Sequence, residues 1–253
     1  MNKIILITGA TAGIGEATAR LLASEGNHLI ITGRRKEKLN QLSKDLINQF
    51  GVRVTYLTFD IRKKEEVNKA INSLEKDWKN IDVLINNAGL AVGLSPLHDG
   101  LTEDWDTMID TNLKGLLYIT RKVSPLMIKQ KHGHIVNIGS IAGKEVYPGG
   151  NVYCSTKHGV EALTKAMRME LVEHGIKVTS VCPGMVETEF SEVRFKGDKT
   201  KAKAVYEGFE PLHAEDIAET IHFIITRPDH VNINDILIMP TAQANAGLTI
   251  KNK

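Results

Sequence analysis

The chain has 253 residues, and its hydrophobic content of 42% is enough for the core of one large α/β domain. The 32 basic and 30 acidic residues are spread along the chain and leave a formal net charge of +2, which gives no basis for a nucleic-acid-binding protein. The two cysteines are too few for a disulfide framework or a structural zinc site, so we expect a cytoplasmic protein without a metal. No apolar run approaches the ~18 residues that span a bilayer, so no membrane contact is expected.

Short apolar runs alternate with segments of helical periodicity along the chain. Strands are predicted at 4–8, 29–32, 52–57, 83–86, 135–138, 178–182 and 236–239. Helices are predicted at 16–24, 36–50, 64–78, 105–131, 153–174 and 214–226. Continuously apolar strands are buried on both faces, which is typical of a parallel sheet covered by helices. We therefore predict an α/β fold in a single domain over 1–253, with a Rossmann-type, doubly wound parallel sheet of about seven strands and helices on both faces.

Residues 185–208 form a long stretch without clear periodicity. The stretch is polar and charged, and it follows Pro183 and Gly184. Long irregular segments in compact domains often cover active sites. We therefore predict that 185–208 is a substrate lid.

A glycine-rich turn, T-G-A-T-A-G-I-G at 8–15, follows the first predicted strand and opens a helix. Glycines permit a tight turn and let backbone amides approach a pyrophosphate, whose charge also suits the positive end of a helix. Thr18 stands where the usual dinucleotide fingerprint has its third glycine or alanine. The residues predicted to contact the cofactor here are Gly9, Thr11, Gly13, Ile14 and Gly15.

Two arginines follow the second predicted strand, at the position where an NAD-binding enzyme is expected to offer a carboxylate to the ribose 2′-hydroxyl. Arg34 and Arg35 suit a 2′-phosphate instead, because a guanidinium can make paired charge-assisted hydrogen bonds to it. Arginines also suit the solvated start of a helix. Of the two dinucleotides, the sequence favours NADP.

Polar loops follow the third and fourth predicted strands as well. Asp60 and Ile61 come after the third strand, and Asn-Asn-Ala-Gly at 86–89 follows the fourth. Both loops lie at carboxyl ends of strands, where the ligand crevice of such a sheet is found. Asp60 could accept a hydrogen bond from an adenine amino group, although the polarity of an exposed loop also accounts for it.

A tyrosine and a lysine four residues apart stand near the start of a long helical pattern. Residues at i and i+4 share a helix face, so the ammonium of Lys157 can lie near the phenol of Tyr153. A phenol titrates near pH ~10, and a neighbouring cation lowers that pKa. The spacing alone also suits an ordinary solvated helix face, so the pair needs its context.

That context is a set of motifs in a fixed order. They are T-G-A-T-A-G-I-G at 8–15, N-N-A-G at 86–89, Asn112 in a helix, Ser140 after the fifth strand, Y-C-S-T-K at 153–157 and P-G-M-V-E-T at 183–188. In this combination the sequence resembles the short-chain dehydrogenase/reductase superfamily over nearly its whole length. The resemblance implies the strand order 3-2-1-4-5-6-7 and a homotetramer.

The resemblance also implies roles for four residues. Tyr153 is the expected acid/base residue, and Ser140 is expected to hold the substrate oxygen. Lys157 is expected to bind the nicotinamide ribose and to lower the pKa of Tyr153, and Asn112 to hold a water in a proton relay. The implied reaction moves a hydride between NADP and a carbinol carbon. Further cofactor contacts implied by the resemblance are Asn87, Ala88, Gly89, Pro183, Gly184, Val186 and Thr188.

Longer stretches narrow the implied substrate. A resemblance to the NADP-dependent 3-hydroxy acid dehydrogenases is carried by 86–93, 104–115, 149–153, 188–198 and 230–234. It implies a small hydroxy acid of the L-serine, L-allo-threonine, 3-hydroxypropionate or malonic semialdehyde class. A carboxylate needs a cation, and Arg194 and Lys196 lie in the predicted lid. Tyr147 lies in a stretch that departs from these relatives and is expected to line the pocket.

Two other functions remain open from the sequence. A carbonyl or 3-oxoacyl reductase would act on a neutral or carrier-linked ketone, and it would be expected to have a more apolar lid or a basic docking patch. A non-catalytic NADP sensor would keep the fold without the chemistry, and the presence of Tyr153, Lys157, Ser140 and Asn112 together argues against it.

Overall fold

A parallel sheet of 7 strands forms the centre of the protein. The computed structural model describes residues 2–252. The strands are β1 Ile4–Thr8, β2 His28–Gly33, β3 Val54–Thr58, β4 Val83–Asn86, β5 Gly133–Ile138, β6 Ile176–Pro183 and β7 Asp235–Ile238. They lie in the order β3-β2-β1-β4-β5-β6-β7, and every neighbouring pair is parallel. The predicted Rossmann-type sheet is therefore confirmed, with its reversal of order between β1 and β4.

Helices cover both faces of this sheet, as predicted. They are α1 Gly13–Ser24, α2 Lys36–Phe50, α3 Lys64–Asn72, α4 Thr102–Ile109, α5 Leu116–Gln130, α6 Asn151–Leu171, α7 Phe190–Arg194, α8 Lys199–Ala204 and α9 Ala214–Ile225. Successive strand side chains point to opposite faces, so Ile5 packs in the layer of α1, α2 and α9, and Leu6 in the layer of α3, α5 and α6. This two-sided burial is the reason why the strand sequences are apolar without alternation.

One predicted helix, 105–131, differs from the structure in its interior. The helix begins earlier, at Thr102, and its residues Asp110–Gly115 form a π-helical segment between α4 and α5. Gly115 allows a close approach there, because a Cβ at this position would lie 2.9 Å from Cγ2 of Ile61. A change from α to π turns leaves no signature in hydrophobic periodicity, so the sequence could not predict it.

Two other segments differ from the sequence predictions. The helix predicted at 64–78 ends at Asn72 and is followed by a separate 3-10 turn at Lys76–Lys79. Residues 185–208, predicted to be irregular, contain the short helices α7 and α8. Helix α8 begins where the Asp198 side chain accepts a hydrogen bond from the amide of Lys201, at 3.0 Å. Helices of five or six residues are too short to show a period.

Within residues 2–252, no helix combines the length with the hydropathy that a bilayer crossing requires.

Candidate active site

The carboxyl ends of β1, β4, β5 and β6 surround a cavity of about 240 Å³. The predicted site residues that line it are Gly9, Gly13, Ile14, Arg35, Asn87, Ala88, Gly89, Ser140, Tyr153, Lys157, Pro183, Gly184, Val186 and Thr188. The others, which lie outside this lining, are Thr11, Gly15, Arg34, Asp60, Ile61, Asn112, Tyr147, Arg194 and Lys196. The cavity therefore lies where the strand order reverses, at the usual ligand crevice of an open α/β sheet.

The glycine-rich turn is shaped by close backbone approaches. Gly9 has φ +68° and Gly13 has φ +53°, values that favour glycine. Gly15 lies in α1, where a Cβ would collide with the carbonyl oxygen of Gly9. The side-chain amide nitrogen of Asn87 stabilises the turn by donating to the carbonyl oxygens of Thr8, at 2.8 Å, and Gly9, at 3.2 Å. Gly15 thus shapes the turn without facing the cavity.

Arg35 connects three parts of the site. Its guanidinium donates to the Thr11 hydroxyl at 2.9 Å and to the Thr11 carbonyl oxygen at 3.1 Å. The same group forms an ion pair with Glu189 at 2.8 Å, and Lys38 pairs with the other oxygen of Glu189 at 3.0 Å. Arg34 is exposed and does not line the cavity. Of the two predicted arginines, Arg35 is the one that lines this cavity.

The third-strand loop contains an internal ion pair, and its expected contact with adenine stays a prediction. The carboxylate of Asp60 is paired with Arg62, with one N···O distance of 2.6 Å. This hydrogen bonding lowers the pKa of Asp60 below its usual value. Ile61 is buried in the hydrophobic layer that contains α3 and α5. The structure thus places Asp60 in an internal ion pair and Ile61 in the core.

Ser140, Tyr153 and Lys157 meet at the floor of the cavity. Ser140 follows β5, and its hydroxyl accepts a hydrogen bond from the amide of Ala142 at 3.1 Å. Tyr153 and Lys157 lie on the first turns of α6, and both side chains are buried. The Lys157 ammonium donates to the carbonyl oxygen of Ile138 at 2.8 Å. A hydroxyl donor, a phenol and an ammonium therefore line one cavity.

Burial is the largest influence on the pKa values of Tyr153 and Lys157. It raises the pKa of the Tyr153 phenol, with a smaller rise from Tyr147, whereas Arg194 and a hydrogen bond from Ser140 act in the opposite direction. Burial also lowers the pKa of Lys157 to about 8. Among the groups that lower the pKa of Tyr153, Arg194 has the largest effect. The expectation that Lys157 lowers it as well stays a prediction.

Asn112 lies in the π-helical segment with its side chain buried. Its amide oxygen accepts from the amide of Leu90 at 2.9 Å, and its amide nitrogen donates to the Leu90 carbonyl at 2.9 Å. The same nitrogen also donates to the hydroxyl of Thr156 at 3.0 Å. A Cβ on Gly89 would lie 3.3 Å from this amide oxygen and 3.5 Å from the Lys157 ammonium nitrogen. Asn112 therefore fixes the 87–90 loop against α6.

Arg194 lies among aromatic rings at the end of α7. Its guanidinium carbon is 5.1 Å from the ring centre of Tyr153, 5.4 Å from Phe190 and 5.8 Å from Tyr147. It donates to the Tyr147 hydroxyl at 2.6 Å, while its buried Nε has no hydrogen-bond partner. A smaller cavity of about 20 Å³ is lined by both Arg194 and Tyr153. Tyr153 therefore borders both cavities.

Lys196 is placed differently from Arg194. Its ammonium pairs with Asp104 at 2.9 Å, and the side chain is half exposed. The backbone at this point is also fixed, since the Arg194 carbonyl accepts from the amide of Gly93 at 2.9 Å. Together with the Arg35–Glu189 pair, these contacts join 185–208 to the body of the protein at three points.

Some cavity residues were not among the sequence predictions. They are Ala12, Leu90, Ile138, Gly139, Glu189, Phe190 and Val193. Phe190 packs edge-on against Tyr153, with ring centres 5.7 Å apart. Neighbours of the recognised motifs, such as Ala12 and Gly139, could have been included by position. Glu189 and Phe190 directly follow the motif at 183–188 and could have been included in the same way.

The cavity suits a phosphorylated dinucleotide on its own evidence. The glycine-rich turn leaves no room for side chains, and it opens the positive end of α1. Arg35 lies on the cavity wall, where it can pair with a phosphate. At the other end, a phenol next to a hydroxyl donor can exchange a proton with a substrate oxygen. The residues present thus fit NADP and a reaction at a carbinol or carbonyl carbon.

Comparison with known proteins gives a consistent result. The family model described as short chain dehydrogenase matches residues 3–199. The NADP-dependent 3-hydroxy acid dehydrogenase YdfG of Escherichia coli (strain K12) is 46% identical over 248 residues, which cover 98% of each chain. Sulfoacetaldehyde reductase 2 of Chromohalobacter salexigens is 45% identical over 96% of each chain. A solved structure, the closed form of serine dehydrogenase complexed with NADP+, has 45% identity and a TM-score of 0.92, covering 99% of this chain and 100% of that one.

Proposed function

The chain belongs to the short chain dehydrogenase family, and from this premise we propose that it is an NADP-dependent oxidoreductase of small 3-hydroxy acids. The observation that carries the substrate class is the position of Arg194 beside Tyr153. The proposed substrates are L-serine, L-allo-threonine and 3-hydroxypropionate, or malonic semialdehyde in the reverse direction. We further propose that 185–208 is the lid of a single domain.

NADP, when bound, supplies the hydride acceptor for oxidation and the hydride donor for reduction. The protein's own part is proton transfer and orientation. In oxidation, the Tyr153 phenolate accepts the hydroxyl proton of the substrate, while the Ser140 hydroxyl donates a hydrogen bond to the same oxygen as it becomes a carbonyl. Lys157 contributes a positive charge to this group, and Asn112 holds the loop on which Gly89 borders the ammonium.

The case for a carboxylate rests on the surroundings of Arg194. Among residues 2–252, the ion pairs do not include Arg194, and its buried Nε is without a partner. A partly buried cation without an anion is unfavourable, and a substrate carboxylate would compensate it through charge-assisted hydrogen bonds. Because the guanidinium carbon lies 5.1 Å from the Tyr153 ring centre, the acid must be short. A 3-hydroxy acid, with one carbon between its carbinol and its carboxylate, meets this condition.

The test compares a charged substrate with its neutral counterpart. We expect NADP+ reduction with 3-hydroxypropionate, L-serine and L-allo-threonine, and much weaker activity with 3-hydroxypropionamide. Arg194→Gln should raise KM for 3-hydroxypropionate by about 10-fold to 100-fold, since a charge-assisted hydrogen bond contributes about 1.5–3 kcal/mol. KM for the amide should change far less.

Lys203→Gln is the matched control, because Lys203 is an exposed lysine of α8 in the same segment and lines neither cavity. It should leave both KM values near those of the unmodified protein. Equal effects of Arg194→Gln on the acid and the amide would contradict the carboxylate site. Activity confined to neutral ketones would favour the reductase alternative, and tight NADPH binding without any turnover would favour the sensor.

The same guanidinium would also bind a sulfonate, so isethionate belongs in the substrate series. One relative carries the name sulfoacetaldehyde reductase, and carboxylate and sulfonate are both oxyanions that suit an arginine. A kcat/KM for isethionate above that for 3-hydroxypropionate would move the proposal to sulfonates. If Arg194→Gln raised KM for isethionate and for 3-hydroxypropionate by similar factors, Arg194 would still be the residue that binds the anion.

A further inference from the structure

A buried carboxylate lies directly beyond the catalytic lysine. Tyr153, Lys157 and Glu161 are spaced four residues apart on α6, so they share the buried face of that helix. Glu161 is 6% exposed. Neither the acid/base chemistry nor cofactor binding uses this carboxylate, although an unpaired buried charge is strongly unfavourable.

The surroundings of Glu161 keep it ionised. Its carboxylate accepts from the Ser180 hydroxyl, from the Cys182 thiol at 3.2 Å and from the Lys144 ammonium at 3.1 Å. Lys144 also pairs with Asp235 at 2.6 Å. Burial raises the pKa of Glu161, but these hydrogen bonds outweigh it and the pKa lies below its usual value. The carboxylate is therefore charged at neutral pH.

The same cluster does not need a metal ion. Ligand atoms of Glu161, Cys182 and Asp235 lie within 4.8 Å of one another, an arrangement that could hold a cation. The ammonium of Lys144 already bonds to both carboxylates. The protein thus supplies one positive charge at the place of a cation, and a net negative charge remains because two carboxylates share one ammonium.

We propose that Glu161 is a positioning residue for Lys157: its buried negative charge, one helical turn beyond the lysine, keeps the ammonium charged and directed to the carboxyl end of β5. This inference rests on the proposed function, in which a charged Lys157 supports Tyr153. The ammonium that donates to the Ile138 carbonyl is itself buried, so it depends on a nearby anion. Glu161 is the residue placed to provide it.

The other groups that face Lys157 do not supply this charge. Tyr153, on the same helix, and Cys182, on β6, are both acids whose pKa is raised by burial, that of Cys182 to about 12, so they are neutral at neutral pH. Asn112, from the π-helical segment, is uncharged. Burial lowers the pKa of Lys157, while Cys182 and Glu161 oppose this change. Of these two, Glu161 is the one that carries charge near pH 7.

A titration of Lys157 without substrate tests the proposal. Lysines labelled with carbon-13 at Cε are followed by NMR against pH, and the Lys157 signal is assigned by its loss in Lys157→Arg. In Glu161→Gln, the pKa of Lys157 should fall by about one unit, a tenfold weaker affinity for the proton, because an opposite charge nearby has been removed. Glu170→Gln is the matched control, since Glu170 is an exposed residue of the same helix.

Kinetics provide a second readout. The alkaline limb of kcat for 3-hydroxypropionate oxidation should move to lower pH in Glu161→Gln by the same amount, and not in Glu170→Gln. If Glu161→Gln does not fold, the double variant Glu161→Gln/Lys144→Gln removes both partners and leaves no lone buried charge. In the double variant the pKa of Lys157 should also fall, but by less than in Glu161→Gln, because the repulsion between Lys144 and Lys157 is lost as well.

An unchanged Lys157 titration in a folded variant that lacks Glu161 would overturn the inference. Failure of the proposed function is distinguishable, because it would appear as absence of turnover in the unmodified protein. The Lys157 titration and its response to Glu161 would still be measurable in that case.

Discussion

At the scale of single residues, Tyr153 is in a surrounding that favours its neutral form. Burial raises the pKa of the phenol, and Arg194 and Ser140 oppose that rise. A neutral phenol is ready to donate a proton to a carbonyl oxygen, whereas oxidation first requires its deprotonation. The surroundings of this hydroxyl therefore favour proton donation over proton acceptance at neutral pH.

Tyr153→Phe removes that hydroxyl and leaves the ring in place. Turnover of 3-hydroxypropionate should fall by about 10²-fold to 10⁴-fold, the usual contribution of general acid/base catalysis. NADPH binding, followed by fluorescence, should be retained. The control is Tyr147→Phe, which removes only the hydroxyl that accepts from Arg194 and should keep kcat within a few-fold. Substantial turnover in Tyr153→Phe would assign the proton transfer elsewhere.

Arg35 gives a second prediction at this scale. Arg35→Ser should raise KM for NADP+ by about 10-fold to 100-fold, because charge-assisted hydrogen bonds of about 1.5–3 kcal/mol to the 2′-phosphate are lost. KM for NAD+, which lacks that phosphate, should change little. Arg34→Ser should have the smaller effect, since Arg34 is exposed outside the cavity lining. The reverse ranking of the two variants would show that Arg34 is the main phosphate ligand.

At the scale of elements, buried polar side chains of β5 and β6 are hydrogen-bonded to each other. His134 of β5 is buried, and its Nε2 lies 2.8 Å from the hydroxyl of Thr179. That hydroxyl donates to the carbonyl of Ile233 at 2.6 Å, so it accepts from the histidine ring. Burial, aided by the charge of Lys177, lowers the pKa of His134 to about 3. The fold thus requires a neutral imidazole.

This histidine makes stability depend on pH. Unfolded His134 binds a proton below pH ~6.5, whereas the folded protein binds it only near pH 3, so the unfolded state holds more protons between these values. The contribution of His134 to the free energy of unfolding should therefore be fully present above pH ~6.5. It should decrease as the pH falls toward 3, with a slope of up to ~1.4 kcal/mol per pH unit. Urea titrations at several pH values measure the free energy of unfolding. In His134→Gln this free energy should decrease less steeply as the pH falls. An identical slope would mean that other groups control acid unfolding.

The elements also mark how far the sequence could predict the molecule. The resemblance to short-chain dehydrogenases predicted the sheet order and the meeting of Ser140, Tyr153 and Lys157, whereas the continuously apolar strands predicted both helical layers. The π-helical segment at Asp110–Gly115 and helix α7 were not, since neither has a period of its own. The pairing of Asp60 with Arg62 depends on side-chain geometry within a loop. Such contacts have no signature in residue spacing.

At the scale of the whole molecule, α5 and α6 both carry exposed apolar side chains. Met169 of α6 is 79% exposed, Val172 beyond its end is 67% exposed, and Leu117 of α5 is 41% exposed. Large exposed apolar side chains favour burial against another protein surface. They support the proposal of a homotetramer, because two such helices can pack against their symmetry-related copies.

Light scattering tests the assembly. The unmodified protein should have four times the chain mass of 27.9 kDa, and the double variant Met169→Glu/Val172→Glu should have a lower mass, because charges would be buried in the interface. Ile47→Glu is the control, since Ile47 is an exposed residue of α2 on the other side of the sheet. A monomeric mass for the unmodified protein would refute the tetramer.

The π-helical segment bears on how this protein could change in evolution. A π turn holds one more residue than an α turn, so loss of one codon within 110–115 would leave a continuous helix. Residues before the deletion would rotate by about 100° relative to α5. The Asn112 side chain would then lose its two hydrogen bonds with the backbone of Leu90. In an alignment this change would be a single gap in a well-matched helix. Its product would keep the glycine-rich turn and Arg35 and lose the fixed position of the 87–90 loop beside Lys157, which is a one-step route from an enzyme to a protein that only binds a nucleotide.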